Sequence, residues 1–185
     1  SSLRRCRRDR GNTGRYRTMN LRTLLENQVL LSVTGSLELS VDSIISDSRQ
    51  ASHGALFVAI RGGQEQDRHA FVADAVRGGA TAALVEDGSV DAGTATKIVV
   101  ADTRRALACV ASRFHGDPSR DLLCVGVTGT NGKSTTATII RQILSTSSGP
   151  SAYLGTLGFA CGEQVEAVAN TTPEAEQLHA LLARA

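Results

Sequence analysis

Tryptophan is absent from the 185 residues, methionine occurs once, and phenylalanine and tyrosine together number six. Few flat side chains are therefore on hand to stack single-stranded bases, and no nucleic-acid partner is expected. No apolar run approaches the ~18 residues of a membrane-spanning helix, so no membrane partner is expected either. The four cysteines, Cys6, Cys109, Cys124 and Cys161, include no CxxC pair, which argues against a zinc site and a disulfide framework. Cys109 and Cys124 lie in apolar stretches and read as small buried hydrophobes. Unpaired cysteines of this kind fit a reduced, cytoplasmic compartment. The four histidines are equally scattered, and there is neither a glycine triplet nor a sustained heptad.

Charge of one sign is scarce too. The net charge is +2, yet residues 1–18 hold seven arginines against one aspartate. The rest of the chain is mildly acidic. Residues 1–18 lack an apolar stretch and do not read as a secretory signal. Met19 is the only methionine, and ordered patterning starts just after it. The first 18 residues are read as a disordered basic tail or translated upstream sequence.

What remains is a 41% apolar chain, enough for a sizeable core. Leu21, Leu24 and Leu25 predict a short helix. VDSIIS (41–46) predicts a strand, and DSRQASHG (47–54) a turn. ALFVAI (55–60) and TAALVE (81–86) predict strands flanking a helix over 69–79, with Phe71, Ala75 and Val76 on one face. Residues 55–86 thus form a βαβ unit with parallel pairing. KIVVA (97–101) adds a strand. Asp102 caps a helix whose Leu107, Val110, Ala111 and Phe114 recur at i, i+3, i+4, i+7. GDPSRD (116–121) then breaks the pattern and marks a domain boundary. Beyond it come strand LLCVGV (122–127), a Gly-rich loop, helix 134–144, strand 152–156, a Gly-containing stretch to Val168, and a last helix from Pro173.

The loop carries the chemistry. An apolar strand leads through Thr128-Gly-Thr-Asn-Gly-Lys-Ser-Thr135 into a helix. Gly129 and Gly132 permit backbone that aims successive N–H groups inward. The helix start adds unpaired N–H groups and a positive dipole end. Lys133 reaches β- and γ-phosphates, and the Ser134 hydroxyl suits Mg²⁺. The strict Walker A pattern has glycine five residues before Gly132, where this chain has Val127, so the pattern is a variant. The competing reading is a Gly-rich strand-to-helix turn without a ligand.

That variant resembles the nucleotide loop of the Mur ligases and folylpolyglutamate synthases. Asp47-Ser48-Arg49 followed by Gly54-Ala-Leu-Phe-Val-Ala59, Asp67-Arg-His69, Tyr153-Leu-Gly-Thr-Leu-Gly158 and Asn170-Thr-Thr-Pro-Glu174 narrow the resemblance to the MurE type within the Mur ligase family. The resemblance covers about residue 20 to the end. His53, Ala55 and Arg68 depart from it, the last standing where glycine is usual, and Ser134 replaces a commoner threonine.

The resemblance implies an α/β fold. Residues 19–117 would be a small N-terminal domain binding the UDP end of the substrate. Residues 118–185 would begin a P-loop-type ATPase domain with a mainly parallel sheet, incomplete in this chain. It implies ATP and Mg²⁺ at Gly129, Thr130, Asn131, Gly132, Lys133, Ser134 and Thr135, with Lys133 catalytic and Ser134 on the metal. It implies a UDP contact at Ser46, Ser48, Gly63, Gln64 and Glu65, and a muramyl-dipeptide contact at Asn170, Thr171 and Thr172. The implied partners are UDP-N-acetylmuramoyl-dipeptide and an amino acid, bound by a monomer. The implied reaction is ATP-dependent addition of the third stem-peptide amino acid through an acyl phosphate, with this chain alone inactive. The alternatives are a non-catalytic nucleotide- or UDP-sugar-binding remnant, or another relative in the superfamily.

Several of these residues have plain structural readings. The DSR segment can be a polar turn with an Asx-type bond at Asp47 and Arg49 as its ion-pair partner. Thr172 and Pro173 suit an N-cap and N1, and Thr171 with Glu174 a capping box. Asp67 and His69 can be a hydrogen-bonded pair within the loop.

Overall fold

The computed structural model describes residues 18–62, 67–168 and 172–185. The basic segment 1–17 lies outside them. The chain divides between Gly116 and Asp117 into two compact units.

In the first unit, strand β1 (Met19–Asn20) leads into helix α1 (Leu21–Leu24), where the Asn20 side chain accepts from the Arg22 N–H. Strand β2 (Leu30–Thr34) follows, and β3 (Ser40–Val41) returns antiparallel to β1. Strand β4 (Ser43–Ile45) then opens a run of parallel strands, β5 (Ala55–Val58), β6 (Ala82–Val85) and β7 (Thr96–Val100). The five-stranded sheet has the order β2-β7-β6-β5-β4, with β2 alone antiparallel. Helix α2 (Val72–Arg77) crosses from β5 to β6 after a 3₁₀ turn over Arg68–Phe71. This is the predicted βαβ unit.

Four consecutive buried residues in β5 and in β6 are what a parallel sheet covered on both faces requires. One face packs Ala55, Phe57, Ala83, Val85 and Val99 against Val72 and Ala75 of α2. The predicted face of α2 does meet the core, with Val72 added to it. Val72 and Ala75 are fully buried, while Phe71 and Val76 are half-buried beside them, because the first turn is 3₁₀ and the α-period starts later. Leu56, Val58, Leu84 and Ile98 point the other way and are equally buried. Helix α3 (Thr103–Phe114) buries the four apolar residues its periodicity named, and Asp102 accepts from the Arg105 N–H at 2.8 Å. Cys109 falls on the outward face of α3 and is exposed, contrary to the burial expected from its apolar neighbours. Arg113 donates to the carbonyls of Thr23, Leu24 and Glu26, so α3 also ties down the end of α1.

In the second unit, residues 122–127 form no strand ladder. Leu123 is 83% exposed, and Cys124 is exposed as well, the latter against expectation. An apolar run becomes a strand only when a neighbour pairs its N–H and C=O groups, and among the described residues none does. Helix α4 (Lys133–Ser147) runs three residues past its predicted end at 144. The Gly-containing stretch to Val168 holds two strands. Strands β8 (Ala152–Gly155), β9 (Gly158–Cys161) and β10 (Gln164–Glu166) form an antiparallel meander, so in this unit the described sheet is antiparallel. The mainly parallel sheet belongs to the first unit. Helix α5 (Ala175–Leu182) is held to β10 by a two-pronged Arg184–Glu166 pair at 2.7 and 2.9 Å. Arg184 also lies over the Phe159 ring, 5.2 Å from its centre.

Candidate functional site

At the carboxyl edge of the parallel sheet, the end of β4 delivers Ser46, which is buried, and then Asp47. The Asp47 carboxylate accepts the Arg49 N–H at 3.0 Å and so nucleates the 3₁₀ turn Ser48–Gln50. It also holds the Arg49 guanidinium through Nε and Nη2, the latter at 2.6 Å. Those side-chain bonds, then the backbone N–H, lower the Asp47 pKa to about 2. The Asx-type turn and the Arg49 ion pair are therefore both present, and they set Ser48 at the head of the turn.

The next loop leaves this edge after β5. Gly63, Gln64 and Glu65 lie outside the described residues. The chain returns at Asp67, whose carboxylate accepts the His69 N–H at 3.1 Å and contacts His69 Nδ1 at 2.5 Å. His69 Nε2 accepts the Glu86 N–H at 2.8 Å. A nitrogen that accepts carries no proton, so the ring proton sits on Nδ1 and is donated to Asp67. Glu86 in turn accepts from the N–H and the hydroxyl of Thr103, at 2.9 and 2.8 Å. His69 is thus a buried brace between the returning loop and the end of β6, the loop-pair reading extended by one partner. Arg68 reaches 22 residues back and donates Nη1 to the Ser46 carbonyl at 3.1 Å. The sequence marked Arg68 only as a departure from the family pattern. Neither the Arg68 contact nor the Glu86–Thr103 link has a local signal.

The second cluster stands at the head of α4. Gly129 has φ +146° and Gly132 φ +75°, conformations in which a β-carbon is strained whatever the space around it. Gly132 is the N-cap and offers no side-chain acceptor, so the N–H groups of the first turn lack the usual cap. Lys133 Nζ folds back over the loop to the carbonyls of Gly129 (2.6 Å) and Thr130 (3.2 Å). Thr130, Asn131 and Thr135 are exposed and Ser134 is half-buried. A turn with two glycines at positive φ, a helix start without a side-chain cap, a tethered ammonium and a hydroxyl one residue on make up a donor set suited to a magnesium–nucleotide triphosphate, and these residues fit it.

The third cluster is only partly described. Asn170 and Thr171 lie outside the described residues. Thr172 is exposed, and α5 begins at Ala175 with Glu174 as an extended N-cap that makes no side-chain bond. Thr172 and Pro173 therefore precede the helix and do not form its expected N-cap and N1. Pro173 is buried, which fixes the approach to the helix two residues ahead of its first turn. Among the described residues no three His, Cys, Asp or Glu side chains gather as a metal site, and no helix is long and apolar enough to cross a membrane.

Residues 127–185, the loop and everything after it, match the Mur ligase middle domain. Over 165 residues the chain is 38% identical to the UDP-N-acetylmuramoyl-L-alanyl-D-glutamate--2,6-diaminopimelate ligase of Syntrophomonas wolfei, covering 89% of this chain and 34% of that protein. The chain is similar to Mur ligases over most of its length. Within this family the similarity is to the MurE type, and it extends to members with different amino acids in their names. The L-lysine ligase of Staphylococcus haemolyticus is 40% identical over 160 residues, covering 86% of this chain and 32% of that one. The chain spans about a third of the length of the curated relatives it matches. A solved UDP-N-acetylmuramoyl-L-alanyl-D-glutamate--2,6-diaminopimelate ligase shares the fold with a TM-score of 0.67 at 24% identity, over 90% of this chain and 33% of that one. Mur ligases are ATP-dependent enzymes, in keeping with the loop at the head of α4.

Proposed function

We propose that this chain binds the UDP end of a UDP-N-acetylmuramoyl-dipeptide in its first unit and the phosphates of ATP in its second. The protein it belongs to would add the third stem-peptide amino acid of peptidoglycan in the cytoplasm. The observation that carries the reading is the strained-glycine loop at the head of α4, inside the segment that matches the Mur ligase middle domain. Lys133 would exchange its two loop carbonyls for β- and γ-phosphate oxygens, and the first-turn N–H groups of α4 would cradle the same anion. Ser134 would hold Mg²⁺, which when bound supplies charge neutralisation as the γ-phosphoryl group leaves. Gly129, Thr130, Asn131, Gly132 and Thr135 shape the cradle. Ser46 and Ser48, with Gly63, Gln64 and Glu65, would receive the uridine diphosphate. Asn170, Thr171 and Thr172 would receive the muramyl-dipeptide.

The amide-forming step is assigned to the whole protein: the substrate's γ-carboxylate takes the phosphoryl group, and the incoming amine displaces it. The 185-residue chain is expected to bind without turnover. The test is a titration of the chain with ATP and Mg²⁺, read as a rise in melting temperature. The Lys133→Ala variant should lose most of that rise. A rise of the same size in Lys133→Ala would refute the assignment of the loop.

A further inference from the structure

Asparagine is a thermolabile residue, most of all when glycine follows it, and this sequence has that pairing once, at Asn131-Gly132. Asn20, Asn27 and Asn131 are the asparagines within the described residues, and they differ in the group that matters, the N–H of the next residue. After Asn20 the Leu21 N–H donates to the Leu39 carbonyl at 2.8 Å, and after Asn27 the Gln28 N–H donates to the Leu25 carbonyl at 3.0 Å. Among the described residues nothing accepts from the Gly132 N–H. The Asn20 side chain is held as well, accepting the Arg22 N–H at 2.9 Å. Asn131 is exposed, and its amide bonds to no described group.

The surroundings favour attack by the Gly132 nitrogen on its neighbour's side chain. Glycine has no β-carbon to block the approach, and the space a β-carbon would face at Gly132 is empty to 4 Å. The nitrogen stands at the positive end of α4, which has no side-chain cap. The Lys133 ammonium folds over the same turn, 2.6 Å from the Gly129 carbonyl. Positive charge there eases loss of the Gly132 amide proton. It also steadies the negative charge that gathers on the Asn131 oxygen as a ring closes.

We propose that Asn131-Gly132 is a self-modification site, whose deamidation switches off phosphate binding at the head of α4. The Gly132 nitrogen gives its proton to water and bonds to Asn131 Cγ. The bond from Cγ to the amide nitrogen breaks, and ammonia leaves. Water then opens the resulting succinimide at one of its two carbonyls, giving isoaspartate or aspartate. Either product puts a carboxylate where a neutral amide stood, and isoaspartate also lengthens the main chain by a carbon. That carboxylate stands two residues ahead of Lys133, at the uncapped first turn of α4. It competes for the positive groups assigned to ATP and repels the phosphates themselves. The consequence for ATP rests on the reading of the loop given above; the chemistry at Asn131 does not.

The test ages the 185-residue chain in mildly alkaline buffer. Peptide mapping reads the mass gain of an amide NH exchanged for O, and an isoaspartate-specific methyltransferase labels the main product. The gain should appear at Asn131 well ahead of Asn20 and Asn27. The rise in melting temperature with ATP and Mg²⁺ should shrink in proportion to the modified fraction. Unaged Asn131→Asp should bind ATP about tenfold or more weakly than wild type. Modification at Asn131 no faster than at Asn20 or Asn27 would overturn the site. Modification at Asn131 with the ATP response intact would overturn the switch. An unaged wild-type chain without any ATP response would overturn the reading of the loop instead, and the mass gain at Asn131 is measured independently of it. If Asn131→Asp melts too low to titrate, Asn131→Gln decides, since its longer side chain closes the ring much more slowly. It should keep on ageing the ATP response it shows when fresh, and a loss as fast as that of wild type refutes the proposal.

Discussion

Replacing His69 with leucine, close to it in volume, separates a structural brace from a ligand contact. The substitution removes the acceptor of the Glu86 N–H, now 2.8 Å from Nε2, at a site where His69 is 8% exposed. Leaving a buried N–H without a partner costs about 1–3 kcal/mol. The bond to Asp67 is lost as well, but that carboxylate is 52% exposed, so screening limits its share to about 0.5 kcal/mol. The sum is about 1.5–3.5 kcal/mol. For a unit of roughly 100 residues each kcal/mol moves the melting temperature by about 4–8 °C, so a fall of about 6–28 °C is expected. Circular dichroism on heating and a urea titration of the 185-residue chain measure it, with UDP affinity followed in parallel. His69→Gln should regain roughly half the loss, because its amide oxygen can accept where Nε2 did. A loss below about 0.5 kcal/mol together with weakened UDP binding would refute the brace and make His69 a contact residue.

Three further outcomes are expected. Leu107→Ala empties a fully buried site on α3 and should cost about 3–5 kcal/mol by urea titration; a loss under about 1 kcal/mol would mean that α3 does not seal the sheet. The Asp47 carboxyl is lowered on folding to about 2, chiefly by its side-chain bonds to Arg49, so its contribution is present above about pH 4 and is lost as the pH falls toward 2. Asp47 is about a third exposed, which screens that contribution to about 1 kcal/mol; Asp47→Asn should flatten this limb of the stability profile, and an unaltered limb would contradict the linkage. Cys109 and Cys124 are exposed, so a thiol reagent should modify both in the native chain, and protection of either until unfolding would contradict its placement.

Local signals account for the parts of this molecule that were legible beforehand. Helix α3 declares itself through Leu107, Val110, Ala111 and Phe114 with Asp102 ahead of them, because period and cap are properties of neighbouring residues. Strands β5 and β6 are short apolar runs joined by a helical segment, which by itself implies parallel pairing. The glycine-rich turn is legible for the same reason: glycines at 129 and 132, a lysine and a hydroxyl lie in one contiguous stretch and need no distant partner to make a turn at the head of a helix.

Other features depend on what packs against what. Residues 122–127 have a strand's composition, yet only a neighbouring backbone can make them one. The buried Pro173 and extended Glu174 delay α5 to Ala175, although Thr172-Pro173 alone reads as a helix start. Cys109 sits among apolar residues in sequence but on the outer face of α3 once the sheet has chosen the inner one. The link from Arg68 to the Ser46 carbonyl spans 22 residues, and the one from Glu86 to Thr103 spans 17. Sequence by itself determined the βαβ rhythm, the capped helix and the glycine-rich turn at the head of α4, since each is set by residues within a few turns of one another. Tertiary structure alone decided which strand ends meet at the carboxyl edge of the sheet, and so which buried histidine braces it and which arginine faces Ser46, because long-range contacts leave no period in the chain.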